Sequence, residues 1–439
     1  MTPASTGSAD LSRILSRQFP QEWPAVPFWS IYRRVKRPST GTEELLSVYR
    51  DHGVVRKMDR EDNFNQASED LSLYQLVHSG DLVINKMKAW QGSAAVSSLD
   101  GIVSPAYFVF ERVLSSDSLF MHYLLRSSPF IAAYRAASKG IRPNQWDLDP
   151  NVLRTFPLRL PPLDLQRKIG GFLDRETKEI DAFIRDQEEL IGLLQERRDT
   201  MISDAVTNGI DATAHQIAQW DQLVDGVPSH WTVQPLRHGV ELVTSGSRGW
   251  ADYYSDDGDV FLRIGNLSRQ SPHLRLTDIQ HVRLPRQTEG VRTRTRVGDV
   301  LFSITAYLGS VGLVTGSAAG AFVSQHVALV RPRPAVFDPA YLAFACLGHA
   351  VQNQLTGSAY GGTKIQLSLD DIRALQVPRP PLSEQRAIAK FLAARLEALD
   401  LVIDDARQAM ALSRERRLAL VSAAVTGKVY LSGHEGAQQ

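Results

Sequence analysis

The sequence predicts an α+β protein with a pseudo-two-fold internal repeat: two mixed α/β units joined by two long antiparallel coiled-coil helices. Three observations predict it. A segment opening on Pro161-Pro162-Leu163 returns without gaps 219 positions later at Pro380-Pro381-Leu382. Both copies then run without proline, from Asp164 to Thr207 and from Ser383 to Thr426, with apolar residues spaced by three and four. Elsewhere, apolar runs of strand length alternate with glycine and serine turns.

The repeat is read first, because a missed repeat misassigns the whole fold. Matched pairs include Gln166/Gln385, Arg167/Arg386, Phe172/Phe391, Leu173/Leu392, Asp181/Asp400, Glu196/Glu415, Arg197/Arg416 and Arg198/Arg417. Ala-Val-Thr closes both copies at 205–207 and 424–426. The preceding regions correspond more faintly. Trp23 and Trp231 open them, Ser79-Gly80-Asp81 and Val297-Gly298-Asp299 precede apolar runs, and each ends on Pro-Pro. A period near 219 far exceeds the roughly 20 to 50 residues of solenoid units. The chain therefore divides into an N-terminal arm (1–22), a first globular part (23–160), a first helix (161–210), a linker with the second globular part (211–379), a second helix (380–428) and a C-terminal tail (429–439).

In the first helix Ile169, Leu173, Ile180, Phe183, Leu190, Leu194 and Met201 form the expected seam. At 1.5 Å per residue such a helix is about 66 Å long. The second offers Ile388, Leu392, Leu399, Val402, Ala406, Ala409 and Leu420. A seam of large residues facing one of smaller residues predicts that the two helices pack on each other. Asn208-Gly209 and Gly427-Lys428 supply the stops. In the globular parts, Gly80–Ile84, Tyr107–Phe110, Asp299–Phe302 and Val327–Val330 read as strands, followed by helical stretches around 118–137 and 339–355. The arm is rich in proline and serine, with a short helix expected over Leu11–Phe19.

Composition bounds the class. A hydrophobic fraction of 43% and a charged fraction of 22% disfavour wholesale disorder and a membrane composition. The single cysteine, Cys346, allows neither an intramolecular disulfide nor a cysteine-based zinc site, and suits the cytoplasm. No signal peptide or membrane-spanning run is read. Lys+Arg 49 against Asp+Glu 48 excludes a uniformly basic coat but not segregated charge.

Charge is indeed segregated. From Arg263 to Arg296 eight arginines stand against Asp278 and Glu289, about +6 in a nearly neutral chain. Arg292, Arg294 and Arg296 alternate with threonine, so a strand would put all three on one face, a surface suited to phosphate or guanine. In the first globular part the corresponding residues are Arg33, Arg34, Lys36 and Arg37, then Lys86, Lys88 and Trp90. The first helix carries eleven acids against seven bases between Asp164 and Thr207, which favours protein docking over DNA. Candidate DNA contacts are Lys86, Lys88, Trp90 and Arg142 in the first unit, and Arg248, Arg292, Arg294, Tyr307 and Lys364 in the second.

Catalytic signatures are missing. There is no phosphate-binding Gly-x-x-x-x-Gly-Lys-Ser/Thr loop, no dinucleotide fingerprint and no Asn/Asp-Pro-Pro-Tyr/Phe signature of amino-methyltransferases. The histidines lack metal-ligand spacing. One nuclease-like string, Asp164 with Glu176-Thr177-Lys178, falls on the first long helix, where its carboxylates could not converge on a metal.

With two globular parts and two repeated helices, the chain resembles the specificity (S) subunit of type I restriction-modification enzymes from about Trp23 to Lys428. The resemblance rests on Pro-Pro-Leu-x-x-Gln-Arg at 161–167 and 380–386, and on the helix ends Ile202-Ser-Asp-Ala-Val-Thr207 and Val421-Ser-Ala-Ala-Val-Thr426. It implies a non-catalytic chain whose globular parts are target recognition domains, each reading half of a split double-stranded DNA sequence. It further implies helices that set the spacing and dock two methyltransferase (M) subunits, with restriction (R) subunits joining the assembly. No cofactor is expected in this chain; AdoMet, ATP and Mg²⁺ would belong to the partners. The first unit has Gly140-Ile-Arg-Pro-Asn-Gln-Trp where the second has Gly362-Thr-Lys-Ile-Gln-Leu, so an asymmetric target is expected. The competing readings are a specificity subunit of a related system with methylation and cleavage fused in one partner, a stand-alone nuclease, and a structural coiled-coil adaptor.

Overall fold

The computed structural model describes residues 15, 18–50, 52–59, 71–140, 146–211, 226–284, 293–357 and 366–429. The chain divides into two compact units, residues 1–186 with 408–439, and residues 187–407. Each unit thus contains one globular part and a portion of both long helices.

In the first unit, a four-stranded antiparallel sheet runs in the order Tyr32–Val35, Tyr107–Arg112, Leu82–Asn85, Ala94–Val96. Leu82 and Ile84 point to one face, packing with Phe108, Phe110, Tyr32 and the helices Ser118–Leu125 and Ser128–Ala137. Val83, between them, faces the other way and joins Leu46, Val48, Val54, Ala95 and Val109. Both faces are buried, which is why this strand reads as an unbroken apolar run rather than an alternation. The expected helical stretch 118–137 is two helices, because Pro129 at the start of the second has no N–H to continue the first. Of the expected arm helix, Leu15 is helical, and Leu15 and Phe19 are buried in this core; residues 11–14, 16 and 17 lie outside the described residues.

The second unit repeats the sheet in the same order, Val240–Ser245, Val327–Pro332, Val300–Ser303, Val311–Leu313. Its covering helices are Pro339–Leu347 and His349–Gly357, separated at Gly348. The units differ on the opposite face. The second builds another four-stranded sheet, in which Asp259–Leu262 and Phe322–Val323 pair in parallel. Among the described residues, the first has only the two-stranded ladders Leu46–Tyr49 with Gly53–Arg56 and Gln75–Val77 with Gly101–Val103.

Each globular part closes on a short antiparallel ladder that hands the chain to a long helix. Ala25–Pro27 pairs with Pro157–Arg159, and Thr232–Pro235 with Gln376–Arg379. The helices are Leu163–Asn208 and Leu382–Val425. The glutamine of each Pro-Pro-Leu-x-x-Gln motif explains the motif. Gln166 accepts from the Asp117 N–H at 3.0 Å and donates to the Pro161 carbonyl at 2.8 Å, while Asp117 caps the helix at Phe120 N. Gln385 accepts from the Asp338 N–H at 2.8 Å and donates to Val336 and Pro380, while Asp338 caps the helix at Ala340 and Tyr341. A buried amide thus ties each long helix to the capped end of a helix in the same unit.

The far ends of the helices obey the same repeat. In the second unit Gly209, with φ +81°, ends the first long helix against the Trp231 ring; in the first unit Gly427, with φ +70°, ends the second helix against Trp23. Both glycines adopt the left-handed backbone that closes a helix without steric cost. Between these ends, Asp181 meets Arg417 in the first unit and Arg198 meets Asp400 in the second. In both cases a residue early in one helix meets one late in the other, as antiparallel packing requires.

The seam differs in detail from the sequence expectation. Phe183 and Val402 are 42% and 45% exposed, so neither lies in it. In the second helix the buried line is Ile388, Leu392, Leu396, Ile403, Ala406 and Met410. Ile403 replaces Val402 because, over several turns, buried positions follow the three-four alternation through Leu396, a residue the expected seam omitted.

Candidate nucleic-acid interface

In both units the two neighbouring strands at one edge of the sheet are joined by a loop, and these loops carry several of the expected contact residues. In the first unit the loop Lys86–Ser93 joins Leu82–Asn85 to Ala94–Val96. The Asn85 side chain accepts from Met87 N and Lys88 N, and the Trp90 indole donates to the Met87 carbonyl at 3.0 Å, which shapes a single 3₁₀ turn. Gly92, with φ +97°, ends the turn against Ile131. Lys88 is exposed at the tip.

Lys86 is held differently. Its ammonium donates to the Pro105 carbonyl and sits 5.0 Å from the Phe108 ring centre, where Arg34 also lies at 4.4 Å. Partial burial, then the neighbouring Arg34, lower its pKa from the usual lysine value, against the opposing effect of Asp147. Trp146, which the sequence reading left out, stands 5.1 Å from Trp90, with Arg135 over its ring. The signal for it was present in the string ending Gln145-Trp146, read only for its difference from the second unit.

The basic run 33–37 is partly neutralised, at its two ends. Arg33 pairs with Glu111, and Arg37 with both Asp81 and Glu111. Repeated positions have exchanged charge here: Arg331 in the second unit stands on the strand corresponding to that of Glu111, and it pairs with buried Asp299, the counterpart of Asp81.

In the second unit the arginine-rich segment is partly neutralised, mostly from outside its own window. Arg283 pairs with Asp257, Arg294 with Asp259 at 3.1 Å, and Arg263 with Asp278. The expected strand across Arg292–Arg296 is not there; residues 293–296 belong to no ladder. The alternation survives in another form. Thr293 and Thr295 are buried, with the Thr295 hydroxyl donating to Ala318 at 2.6 Å, while Arg294 and Arg296 are exposed. The Thr295 hydroxyl, satisfied by loop carbonyls, anchors this run without a partner strand.

Arg294 lies 4.5 Å from the Phe322 ring centre, and Phe322 packs on Trp250, which stacks on Phe261. Exposed Arg248 precedes Trp250 of this aromatic cluster by two residues in the chain. Tyr307 sits in the other loop, Ile304–Ser310, which corresponds to Lys86–Ser93. Arg142, Arg292 and Lys364 lie outside the described residues. Among the described residues, no group of three His, Cys, Asp or Glu is placed to hold a metal ion, and no helix is long and apolar enough to cross a membrane. Glu176, Thr177 and Lys178 are on the long helix, with Thr177 bonded to the Tyr123 hydroxyl and Lys178 paired with Asp174.

A doubled α/β unit with repeated helices and cation-bearing loops defines the architecture. Comparison with known proteins says which proteins share it. Residues 292–402 match the model of the type I restriction modification DNA specificity domain. The chain is 20% identical over 288 residues to the Type I restriction enzyme EcoBI specificity subunit of Escherichia coli, covering 64% of this chain and 60% of that one. It is 19% identical over 422 residues to the MjaVIII specificity subunit of Methanocaldococcus jannaschii, with 93% of each covered. A solved chain from a type I R-M system superposes with a TM-score of 0.66 at 17% identity, covering 94% of this chain and 99% of that one, which shows a shared fold. The chain is thus similar, in this domain and along most of its length, to specificity subunits of type I restriction-modification systems.

Proposed function

We propose that this chain reads double-stranded DNA through its two units, each taking one half of a bipartite, asymmetric target, and performs no chemistry itself. The long helices set the gap and dock two methyltransferase subunits, and restriction subunits join that assembly. AdoMet, ATP and Mg²⁺ act on the partner chains, in the cytoplasm.

The observation that carries this reading is a repeated frame with unlike loops. Gln166/Gln385, Asp181/Arg198 against Asp400/Arg417, and Gly209/Gly427 build both frames in the same way. The loops Lys86–Ser93 and Ile304–Ser310 stand at the same place in each sheet yet differ in sequence, the first carrying two lysines and a tryptophan and the second a tyrosine and no cation of its own, which supports two different half-sites. Cations near the loops supply salt-dependent phosphate affinity, and a few side chains reach base edges. Two readers in one chain raise each other's effective concentration, so properly spaced half-sites bind far more tightly than either alone. Readers facing the same side of the duplex would favour half-site centres about 34 to 36 Å apart, one helical turn.

A stand-alone nuclease is disfavoured. Asp164 and Glu176 lie twelve positions apart on one helix, a rise of about 18 Å, too far to share a metal. The test is co-expression with the neighbouring methyltransferase gene, sizing of the complex and genome-wide mapping of methyladenine. One such chain with two methyltransferase subunits, marking a split motif, is the expected result. Cleavage of DNA by the purified chain with Mg²⁺ alone would overturn the reading.

A further inference from the structure

Tyr307 is the one non-glycine residue with positive φ among the described residues, at +56°, and its side chain is 72% exposed. A left-handed backbone crowds the Cβ of any L-residue other than glycine, and a bulky ring there is rare. An exposed ring gains nothing from burial in return. The conformation therefore persists because its surroundings impose it, and such sites concentrate where ligands bind.

The surroundings are specific. The Tyr307 carbonyl accepts from Ser310 N at 3.2 Å and from the Ser310 hydroxyl at 2.9 Å, and the Ser303 hydroxyl donates to Ala306 O. Arg269 Nε donates to the Leu308 carbonyl at 2.7 Å, and Gln352 Nε2 donates to the Gly309 carbonyl at 2.9 Å. Leu308 is buried, and Gln352 fills the space a Cβ on Gly309 would need. The loop is pinned from three neighbouring segments, with Leu308 turned into the core and Tyr307 left outside it.

The chemistry beside the ring narrows the ligand. Exposed Arg269 brings a guanidinium to the same loop, so a flat apolar surface and a cation are presented together. That pairing suits a duplex step that is partly unstacked, since a ring wedged there meets the base faces while arginine serves the phosphates. The first unit repeats the combination independently. Its corresponding loop holds Trp90 and exposed Lys88 and also ends at a left-handed glycine, Gly92.

We propose that Tyr307 stacks its ring at a base step of the DNA half-site read by the second unit, with the ring rather than the hydroxyl carrying the affinity. This rests on the reading of the chain as a DNA specificity subunit. The left-handed backbone is what aims the ring outward.

The experiment uses the full chain assembled with its methyltransferase partner. The probe is a duplex carrying the methylated motif, with 2-aminopurine placed in turn at each purine of both half-sites. Wild type should change the fluorescence at one step, and Tyr307→Phe should keep both that signal and an affinity within about two-fold. Tyr307→Ala and Tyr307→Gly should lose the signal and weaken binding by about ten-fold or more, as loss of one stacked base predicts. Glycine relaxes the backbone, so Tyr307→Gly should raise Tm while lowering affinity, which separates loss of contact from loss of fold. Unchanged binding by Tyr307→Gly, or equal losses for phenylalanine and alanine, would overturn the stacking assignment. A wild-type complex without any sequence preference would instead overturn the specificity-subunit reading beneath it.

Discussion

Arg198 reaches from the first long helix to Asp400 on the second, its guanidinium facing both carboxylate oxygens, while its Nε donates to the Gln270 carbonyl at 2.8 Å. One buried side chain therefore ties helix to helix and helix to globular part within the second unit. Asp400 is partly exposed, which reduces the cost of leaving it unpaired below that of a fully buried charge. Arg198→Ala should destabilise the second unit by about 1 to 3 kcal/mol. Arg198→Lys should recover only part, since an ammonium lacks the planar fork that serves carboxylate and carbonyl together. Urea denaturation of the three proteins checks this, and equal stability would mean that the arrangement contributes nothing.

The glutamines of the repeated motif bear a similar load in both units. Gln166 and Gln385 are 4% and 0% exposed, and each satisfies a backbone N–H and at least one carbonyl. Gln166→Ala and Gln385→Ala should each cost about 1 to 3 kcal/mol, the penalty of burying unsatisfied backbone groups. Glutamate should be worse at either site, because it cannot donate to those carbonyls. Thermal melts reading each unit separately, by limited proteolysis, would show whether each loss stays in its own unit.

How far the sequence foretold this is clearest at these positions. The repeat announced Gln166/Gln385, Asp181/Asp400 and Arg198/Arg417 as pairs, since fixed spacing on a proline-free helix is a local property. Their partners were hidden: Asp117, Asp338 and Gln270 meet the helices only in the fold. In the second helix the seam was placed within one residue at Val402, but Phe183 and Val402 show that an apolar residue on a long helix need not be buried there. At the interface, Arg33 and Arg37 read as open cations because Glu111 and Asp81 are 74 or more and 44 residues away. Charge pairing across strands is invisible to a count along the chain.

The first unit should lose stability in mild acid through His122. The imidazole is largely buried, beside Arg126 and in contact with the Val96 carbonyl, and burial followed by that positive neighbour lowers its pKa to about 3. The folded state thus holds the ring neutral, while the unfolded chain protonates it near 6.5. Its contribution is present above about pH 6.5 and is lost as pH falls toward about 3, by at most about 1.4 kcal/mol per pH unit. His122→Gln, which cannot protonate, should flatten the dependence between about pH 6.5 and 4. Denaturation midpoints across that range decide it, and parallel curves for both proteins would refute the assignment.

Arg294 tests whether the aromatic cluster of the second unit faces base or backbone. Its guanidinium is shared between Asp259 and the Phe322 ring, which fixes its direction. A bidentate arginine–guanine contact is worth about 1 to 3 kcal/mol of discrimination. Arg294→Ala should relax the motif at one position of one half-site and leave the other half-site intact. Methyladenine mapping of the variant reads this directly; weaker methylation without a change of motif would make Arg294 a phosphate contact.

The helices give the last prediction, because their pairs fix a register. Asp181 with Arg417 and Arg198 with Asp400 are related by the same repeat offset, so 17 residues separate the paired positions on each helix. Four residues inserted between 181 and 198 alone lengthen one helix by about 6 Å while the other keeps its length. One of the two ion pairs must then slip, and the single insertion should destabilise the protein. A matching four-residue insertion between 400 and 417 restores equal lengths, so the double insertion should recover stability. If the helices set the gap, the doubly inserted protein should methylate a motif with the same two half-sites and a longer gap. Recovery of stability with an unchanged gap would separate the helices' packing role from any role as a ruler.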